Sequence, residues 1–409
     1  MWFNLERKHL LALATWQFAI FFAGQNIFGI FATFIPPNSS RNCSNPEIFS
    51  NFSKHGEFFK SAAVEFDWIC GNSKYYRDLF SQVHYSGVLV GTMVFGTLSD
   101  RYGRKPVGTV VLGLAAISTF YTAFVRSQEM LFSVRFFVGF ASGGIPVVIC
   151  TWVMELLLAE QRMVLRGIFN WGWTRIFLTT ICYFIQNWRN ALIVCALFTL
   201  PAIFLVIFVL PESPLWKSRD TRQDHSIWRQ KNRGAAKHFW RRLTTLWCMW
   251  FVASICGFAV DLNSGRLSGN LYLNQILFGV ILVASKLVLL AVDTRYPRFR
   301  LAAMTWIGYD GPIFLVISLL GTVFIEYTWD ACYLCAIESM QTTLRSSATG
   351  TCSFWARIGA ILAPFLNMAT VYWPPAIYWA VILLGLVNLI ISWRFLEETK
   401  NVDLAEVET

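Results

Sequence analysis

The stretch GTLSDRYGRK, residues 96–105, lies between two apolar runs at about 82–99 and 107–126. Gly96 allows two membrane helices to approach closely. Asp100 ends the first helix, Gly103 turns the chain, and the three cations around them can pair with acids on neighbouring helices. The stretch therefore predicts a tight, charged turn between two membrane helices rather than an ordinary basic loop.

Apolar runs recur along the whole chain. Of the 409 residues, 56% are hydrophobic and 14% are charged, whereas soluble domains average about 45–50% and about 25%. A membrane helix needs about 20 apolar residues, so eleven or twelve spans fit this length. This composition argues against a soluble enzyme, a disulfide-rich secreted module and a disordered chain. The runs lie at about 10–35, 82–99, 107–126, 132–158, 166–186, 190–210, 244–262, 271–292, 312–336, 347–370 and 374–396.

The distribution of Lys and Arg predicts the orientation. The N-terminus and the loops at 100–106, 159–166 and 211–242 are basic, which places them in the cytoplasm and the 36–80 loop outside. We therefore predict an all-α polytopic membrane protein with two helical halves. Its predicted parts are a six-helix half at 1–210, a basic cytoplasmic loop at 211–242, a second half at 243–396 and a cytoplasmic tail at 397–409.

The 36–80 loop carries three N-x-S/T sequons, at Asn38, Asn42 and Asn51. Three sequons within fifteen residues predict a glycosylated extracellular loop. Cys43 and Cys70 share this loop, so an oxidising environment favours a disulfide between them, and two free thiols are the alternative.

The ninth span is unusually short. The segments 295–300 and 338–345 both read as cytoplasmic, yet only 37 residues separate them. Two full helices and a turn need more than that. We expect a shortened ninth helix or a deletion at this point.

Several motifs resemble the organic cation/anion/zwitterion transporter family of the major facilitator superfamily. They are the 96–105 stretch, EFDWIC at 65–70, RFFVG at 135–139, PESP at 211–214 and FLEET at 395–399. The resemblance covers nearly the whole chain and implies twelve helices around a central cavity, alternating access, no enzymatic step and no cofactor. The chain departs from the family at DTRYPR, residues 293–298, where Pro297 replaces an expected glycine.

Three cations lie inside apolar runs: Arg175, Lys286 and Arg357. Charges within spans are costly and usually functional. Arg357 and Lys286 resemble the arginine and lysine of the family's organic anion branch. Because a guanidinium can bind a carboxylate bidentately, we expect a small organic anion as substrate and a dicarboxylate as a candidate counter-substrate, carried across the plasma membrane.

Trp329, Tyr333, Tyr183 and Asn26 fall at positions where the resemblance implies cavity residues. The alternative is lipid-facing or interfacial aromatic packing, which is common in a chain with 16% aromatic residues. The resemblance also implies charge relays on the cytoplasmic side that break and re-form during transport. The expected relay residues are Asp100, Arg101, Arg104, Arg135, Glu155, Glu338 and Arg345.

Glu326 and Asp330 are spaced i, i+4 and therefore share a helix face. They either neutralise the buried cations or form a proton-coupling or gating site. They also motivate an alternative cargo, an organic cation or a carnitine-like zwitterion. A transport-dead membrane partner is a further alternative, because the ninth helix is short. We expect no metal site, since the five histidines are scattered, and no nucleic-acid partner, since the excess of Lys and Arg is assigned to cytoplasmic loops.

Overall fold

A computed structural model describes residues 7–35, 59–69, 75–158, 167–221, 233–264, 270–293, parts of 325–336, 345–373 and 376–395. Three of the predicted features lie outside these residues: the sequons with Cys43 and Cys70, the acids Glu326, Asp330 and Glu338, and the side chain of Arg345. The predicted short ninth span, at 301–311, and the 397–409 tail lie outside them as well.

Within the described residues the chain forms ten long helices. Each of them covers one of the predicted apolar runs, as expected for an all-α polytopic protein. The helices are α1 (Arg7–Ala32), α2 (Tyr75–Tyr102), α3 (Arg104–Thr122), α4 (Gln128–Leu156), α5 (Trp171–Phe184), α6 (Trp188–Val209), α7 (Arg233–Ser264), α8 (Leu271–Asp293), α9 (Arg345–Tyr372) and α10 (Ala376–Phe395).

Length and composition alone make α1, α4, α6 and the segment Trp240–Asp261 of α7 suitable for crossing a membrane. Helix starts follow the local sequence. Ser127, Asn170 and Asn187 cap α4, α5 and α6 by accepting hydrogen bonds from backbone N–H groups in the first turn. These caps let short turns join consecutive helices.

Glycines hold α2 and α4 close together. A Cβ at Gly91 would lie 2.0 Å from the carbonyl oxygen of Phe140, and a Cβ at Gly139 would lie 2.0 Å from that of His84. Ordinary contacts are 3.4 Å or longer, so only glycine permits this backbone-to-backbone packing.

Two helix pairs join the N-terminal half (α1–α6) to the C-terminal half (α7–α10 and residues 325–336). They are α2 with α9, and α5 with α8. Tyr85 and Val88 of α2 pack on Ala360 of α9. The two halves therefore meet mainly along these two helix pairs.

Residues 59–69, from the loop predicted to be extracellular, pack on the C-terminal end of α1 and the N-terminal ends of α4 and α6, which are the outer ends in the predicted orientation. Ser61 donates to the carbonyl oxygen of Phe34 at 2.7 Å, and Glu65 forms an ion pair with Arg189 at 2.5 Å. Burial raises the pKa of the Glu65 carboxyl, but the hydrogen bonds from Arg189 and Trp188 and the charge of Arg189 outweigh burial and hold this pKa below its usual value.

Candidate functional site

A buried charge network lies at the α2–α3 turn. Arg104 donates to Asp100 at 2.6 Å, to Ser99 at 2.9 Å and to Glu155 of α4 at 3.3 Å. The side chains of Arg104 and Glu155 are 2% and 0% exposed. Three of the expected relay residues therefore meet, whereas Arg101 lies against the exposed ring of Tyr102, 5.4 Å from its centroid.

Glu212 and Ser213 complete this network, although the sequence suggested no role for them beyond the PESP resemblance. Glu212 accepts from the backbone N–H groups of Arg104 and Lys105, both at 3.0 Å, and so caps α3. Ser213 donates to Glu155 at 2.7 Å. Gly103 turns the chain at a φ of 101°, where a Cβ would lie 2.8 Å from the Glu212 carboxylate.

Arg135 does not join this network, contrary to our expectation. It donates to the side chain of Gln25 at 2.8 Å and to its backbone carbonyl at 2.5 Å. It lies on α4 twenty residues before Glu155, which is roughly 30 Å along a helix. The RFFVG motif therefore places this cation near the outer end of α4, where it ties α4 to α1.

A cavity of about 250 Å³ lies between the two halves, toward the outer ends of α1 and α2. Among the cavity-lining residues, Asn26 is the one that the sequence singled out; Tyr85, Phe258 and Asp261 were missed. Asp261 occupies the end of an apolar run, and that position could have attracted attention. The other lining residues are Ile27, Gly29, Ile30, Thr33, Phe34, Ile35, Arg77, Ser81 and Leu271.

Asn26 is held by polar groups from α2 and α4. Its Oδ1 atom lies 2.8 Å from Nε2 of the buried His84 and 3.4 Å from the Ser142 hydroxyl. The Tyr85 hydroxyl donates to the Asn26 backbone carbonyl at 3.3 Å. With Oδ1 engaged in this way, the amide N–H₂ group is the part of Asn26 available to a ligand in the cavity.

Arg175 lies on α5 and pairs with Asp261 of α7, with a distance of 2.6 Å between Nη2 and Oδ1. The arginine side chain is 3% exposed and that of Asp261 is 32% exposed. The guanidinium also lies 5.5 Å from the ring centroid of Phe278. This ion pair joins the two halves at the cavity wall.

Arg357 of α9 is buried beside the cavity. Its guanidinium lies 5.9 Å from the ring centroid of Phe258, which lines the cavity and meets Tyr85 edge-to-face at 4.8 Å. Its Nε atom has no hydrogen-bond partner among the described residues. A buried cation with an unused donor is therefore close to the space that a ligand would occupy.

The other predicted substrate residues lie apart from the cavity lining. Lys286 is buried on α8. Trp329 and Tyr333 pack on Trp250, with centroid distances of 5.5 and 4.3 Å. Tyr183 is 54% exposed and contacts Phe184 and Tyr272 at the outer end of α5.

The sequence model described as Major Facilitator Superfamily matches residues 82–337, which is more than half of the chain. The chain belongs to the major facilitator superfamily. Members of this superfamily with the same fold include a proton:xylose symporter bound to 6-bromo-6-deoxy-D-glucose, with a TM-score of 0.70, 16% identity and 98% coverage of both chains. The inward open xylose transporter from E. coli matches with a TM-score of 0.64 over 98% of this chain and 99% of that chain, at 16% identity.

Comparison with individual relatives indicates which members of the superfamily this chain resembles. An uncharacterized protein of Caenorhabditis elegans is 32% identical, over 99% of this chain and 95% of that protein. A solute carrier family 22 member 15-like protein of Xenopus tropicalis is 26% identical over 99% and 93%. Solute carrier family 22 member 7 of Bos taurus is 27% identical over 86% and 73%. This superfamily member therefore resembles transporters of solute carrier family 22 and not enzymes.

Proposed function

We propose that this protein is a secondary transporter that moves small organic anions across the plasma membrane by alternating access. The observation that carries the proposal is Arg357, a buried guanidinium beside the cavity with an Nε donor that has no partner in the described structure. A buried cation with a donor that no described residue satisfies is costly unless a ligand engages it. A carboxylate would do so with charge-assisted, bidentate hydrogen bonds.

The cavity suits an aromatic or aliphatic carboxylate of modest size. Phe258 and Tyr85 offer ring surfaces for the ligand body, and the Asn26 amide offers a neutral donor. Lys286 and Arg175 add positive charge from α8 and α5, and a dicarboxylate is the proposed counter-substrate. In this proposal, the substrate contacts Trp329, Tyr333 and Tyr183 only after the two halves have moved relative to each other.

On the cytoplasmic side, Asp100, Arg104 and Glu155 form the relay that we propose to break and re-form as the halves rock. Glu338 and Arg345 are proposed to act as the corresponding relay of the second half. The N- and C-termini are proposed to be cytoplasmic, and the 36–80 loop extracellular and glycosylated. The proposed halves are 1–210 and 243–396, joined by the basic loop 211–242.

A second candidate cargo is an organic cation or a carnitine-like zwitterion. Asp261 favours it, because its carboxylate lines the cavity and is about one-third exposed. A zwitterion would place its carboxylate toward Arg357 and its cationic group toward Asp261. Among the relatives, an organic cation transporter-like protein of Drosophila melanogaster is 24% identical over 83% of this chain and 69% of that protein.

The test is radiotracer uptake of benzoate, glutarate, choline and carnitine by cells expressing the wild type, Arg357→Ala or Arg126→Ala. Arg126 is exposed and serves as the matched control. We expect saturable benzoate or glutarate uptake that Arg357→Ala reduces at least about tenfold, the value of a charged hydrogen bond, and that Arg126→Ala leaves unchanged.

Uptake of choline but not of the two carboxylates would reject the anion proposal in favour of the cation carrier. Carnitine uptake that needs both Arg357 and Asp261 would favour the zwitterion. No uptake of any of the four compounds, with normal surface expression, would favour a protein that binds a partner and does not transport.

A further inference from the structure

The ion pair between Arg175 and Asp261 connects parts of the molecule that must move relative to each other. Arg175 belongs to α5 in the N-terminal half and Asp261 to α7 in the C-terminal half. By contrast, Arg104 and Arg189 pair with acids of their own half. When the halves rock during alternating access, the ion pair between Arg175 and Asp261 must therefore either break or stay joined while both residues shift.

The guanidinium of Arg175 has little room to find another partner. One turn before it, a Cβ at Gly172 would lie 2.7 Å from the carbonyl oxygen of Gly279 on α8. Phe278 covers the guanidinium at 5.5 Å, and the arginine is 3% exposed. In this arrangement Arg175 reaches water only if the two halves separate locally.

Asp261 uses only part of the guanidinium. Nη2 binds Asp261, whereas Nε and Nη1 are buried and have no hydrogen-bond partner in the described part of the chain. Asp261 itself lines the cavity and is partly exposed. A planar guanidinium that can bind a carboxylate through two parallel hydrogen bonds is thus held through one nitrogen.

We propose that Asp261 is an internal counter-ion, which neutralises Arg175 when the carrier is empty and which a substrate carboxylate displaces when it binds. This inference rests on the proposed anion transport. When the anion leaves, Asp261 returns to Arg175, and the halves close without cargo. Asp261 is therefore required for the halves to close without cargo, which is the step that completes the transport cycle of the empty carrier.

Removing this carboxylate has a specific consequence. In Asp261→Asn, the closed and empty carrier would contain a buried arginine that has lost the carboxylate bound to it in the described part of the chain, which is strongly unfavourable. An anion bound to Arg175 removes that cost. We therefore expect Asp261→Asn to slow net anion movement at least about tenfold and to preserve the exchange of one anion for another.

Two further variants separate this role from simple damage to the fold. Asp261→Glu keeps the charge and is expected to retain net movement. The double variant Arg175→Gln/Asp261→Asn lacks both charges of this pair and one cationic partner of the substrate, so its absolute uptake is expected to fall. Its ratio of net movement to exchange is nevertheless expected to return toward that of the wild type. A purely structural role for Asp261 would not be rescued by removing its partner.

The experiment uses the full-length protein in proteoliposomes with radiolabelled benzoate. Net uptake is measured into vesicles without internal anion, and exchange into vesicles preloaded with benzoate. We expect the ratio of net uptake to exchange to fall at least about tenfold in Asp261→Asn and to recover in the double variant. An unchanged ratio in Asp261→Asn, or no recovery in the double variant, would overturn the inference.

A second readout needs no transport. Thr33 lines the outer part of the cavity, and Thr33→Cys can be labelled with a membrane-impermeant thiol reagent, with the chain lacking this cysteine as background. Without Asp261, Arg175 is more stable when water reaches it, so Asp261→Asn is expected to favour conformations with an open cavity. Labelling of Thr33→Cys is therefore expected to be several-fold faster in Asp261→Asn and unchanged in Asp261→Glu. Unchanged labelling would overturn the inference, whereas a wild-type protein that moves no anion would defeat the proposed function instead.

Discussion

The close packing of α2 and α4 leads to a sharp prediction for Gly139→Ala. The new methyl group would lie 2.0 Å from the carbonyl oxygen of His84, at least 1.4 Å short of the ordinary contact distance of 3.4 Å. Because the obstacle is backbone, the helices must separate. Overpacking costs about 1–3 kcal/mol, and the better helix propensity of alanine returns at most about 1 kcal/mol.

Gly113→Ala is the matched control, since a Cβ at Gly113 of α3 meets nothing within 4 Å. There the propensity gain is unopposed and is expected to stabilise the protein by up to about 1 kcal/mol. Thermal unfolding of both variants, purified in the same detergent, is expected to show Gly139→Ala below the wild type and Gly113→Ala at or above it. A Gly139→Ala protein as stable as Gly113→Ala would refute the packing argument.

Gly139→Ala also tests the link between packing and binding. The displaced His84 carries the ring nitrogen that holds Asn26 at 2.8 Å. We therefore expect the variant to raise the KM for anion uptake more than its loss of stability alone would suggest. Substrate-binding measurements on folded protein, recovered by size-exclusion chromatography, check this expectation.

Three further predictions concern the two faces of the N-terminal half. Glu155→Gln leaves the buried Arg104 with one acid fewer, and we expect about 3 kcal/mol of destabilisation by thermal unfolding. Gly103→Ala forces a side chain onto a backbone with a φ of 101°, at a cost of about 1–2 kcal/mol. The pKa of the Glu65 carboxyl is lower in the folded protein than its unfolded-state value of about 4.5. Its charge therefore stabilises the loop above pH 4.5, and this stabilisation is lost as the pH falls through the lower, folded-state pKa. We expect proteolysis of residues 59–69 to be faster in Glu65→Gln than in the wild type at pH 7, and equally fast in strong acid.

The helices and the charged turn could be predicted because they depend on local sequence. A bilayer demands continuous apolar helices, so each run of suitable length identifies one. The GTLSDRYGRK stretch likewise contains Asp100 near the end of α2 and Arg104 at the start of α3, and the tight turn at Gly103 brings the two side chains together.

The residues that meet across the cavity could not be predicted in this way. Asp261 is 86 residues from Arg175, and their pairing depends on how two halves pack. The sequence predicts an acidic partner for Arg175 as one alternative, but it points to Glu326 and Asp330 rather than to Asp261. Arg135 is the opposite case: its motif is recognisable, but Glu155 lies twenty residues further along α4, roughly 30 Å away.

The loop contacts determine what a binder of the outer surface would do. The hydrogen bonds and the ion pair of residues 59–69 end on the N-terminal half, at Phe34 just after α1, at Gln128 of α4 and at Arg189 of α6. An antibody fragment that recognises this segment would therefore travel with that half as a rigid attachment. It would obstruct transport only if its own bulk reached over the C-terminal half, so small and large binders of the same epitope would differ in effect.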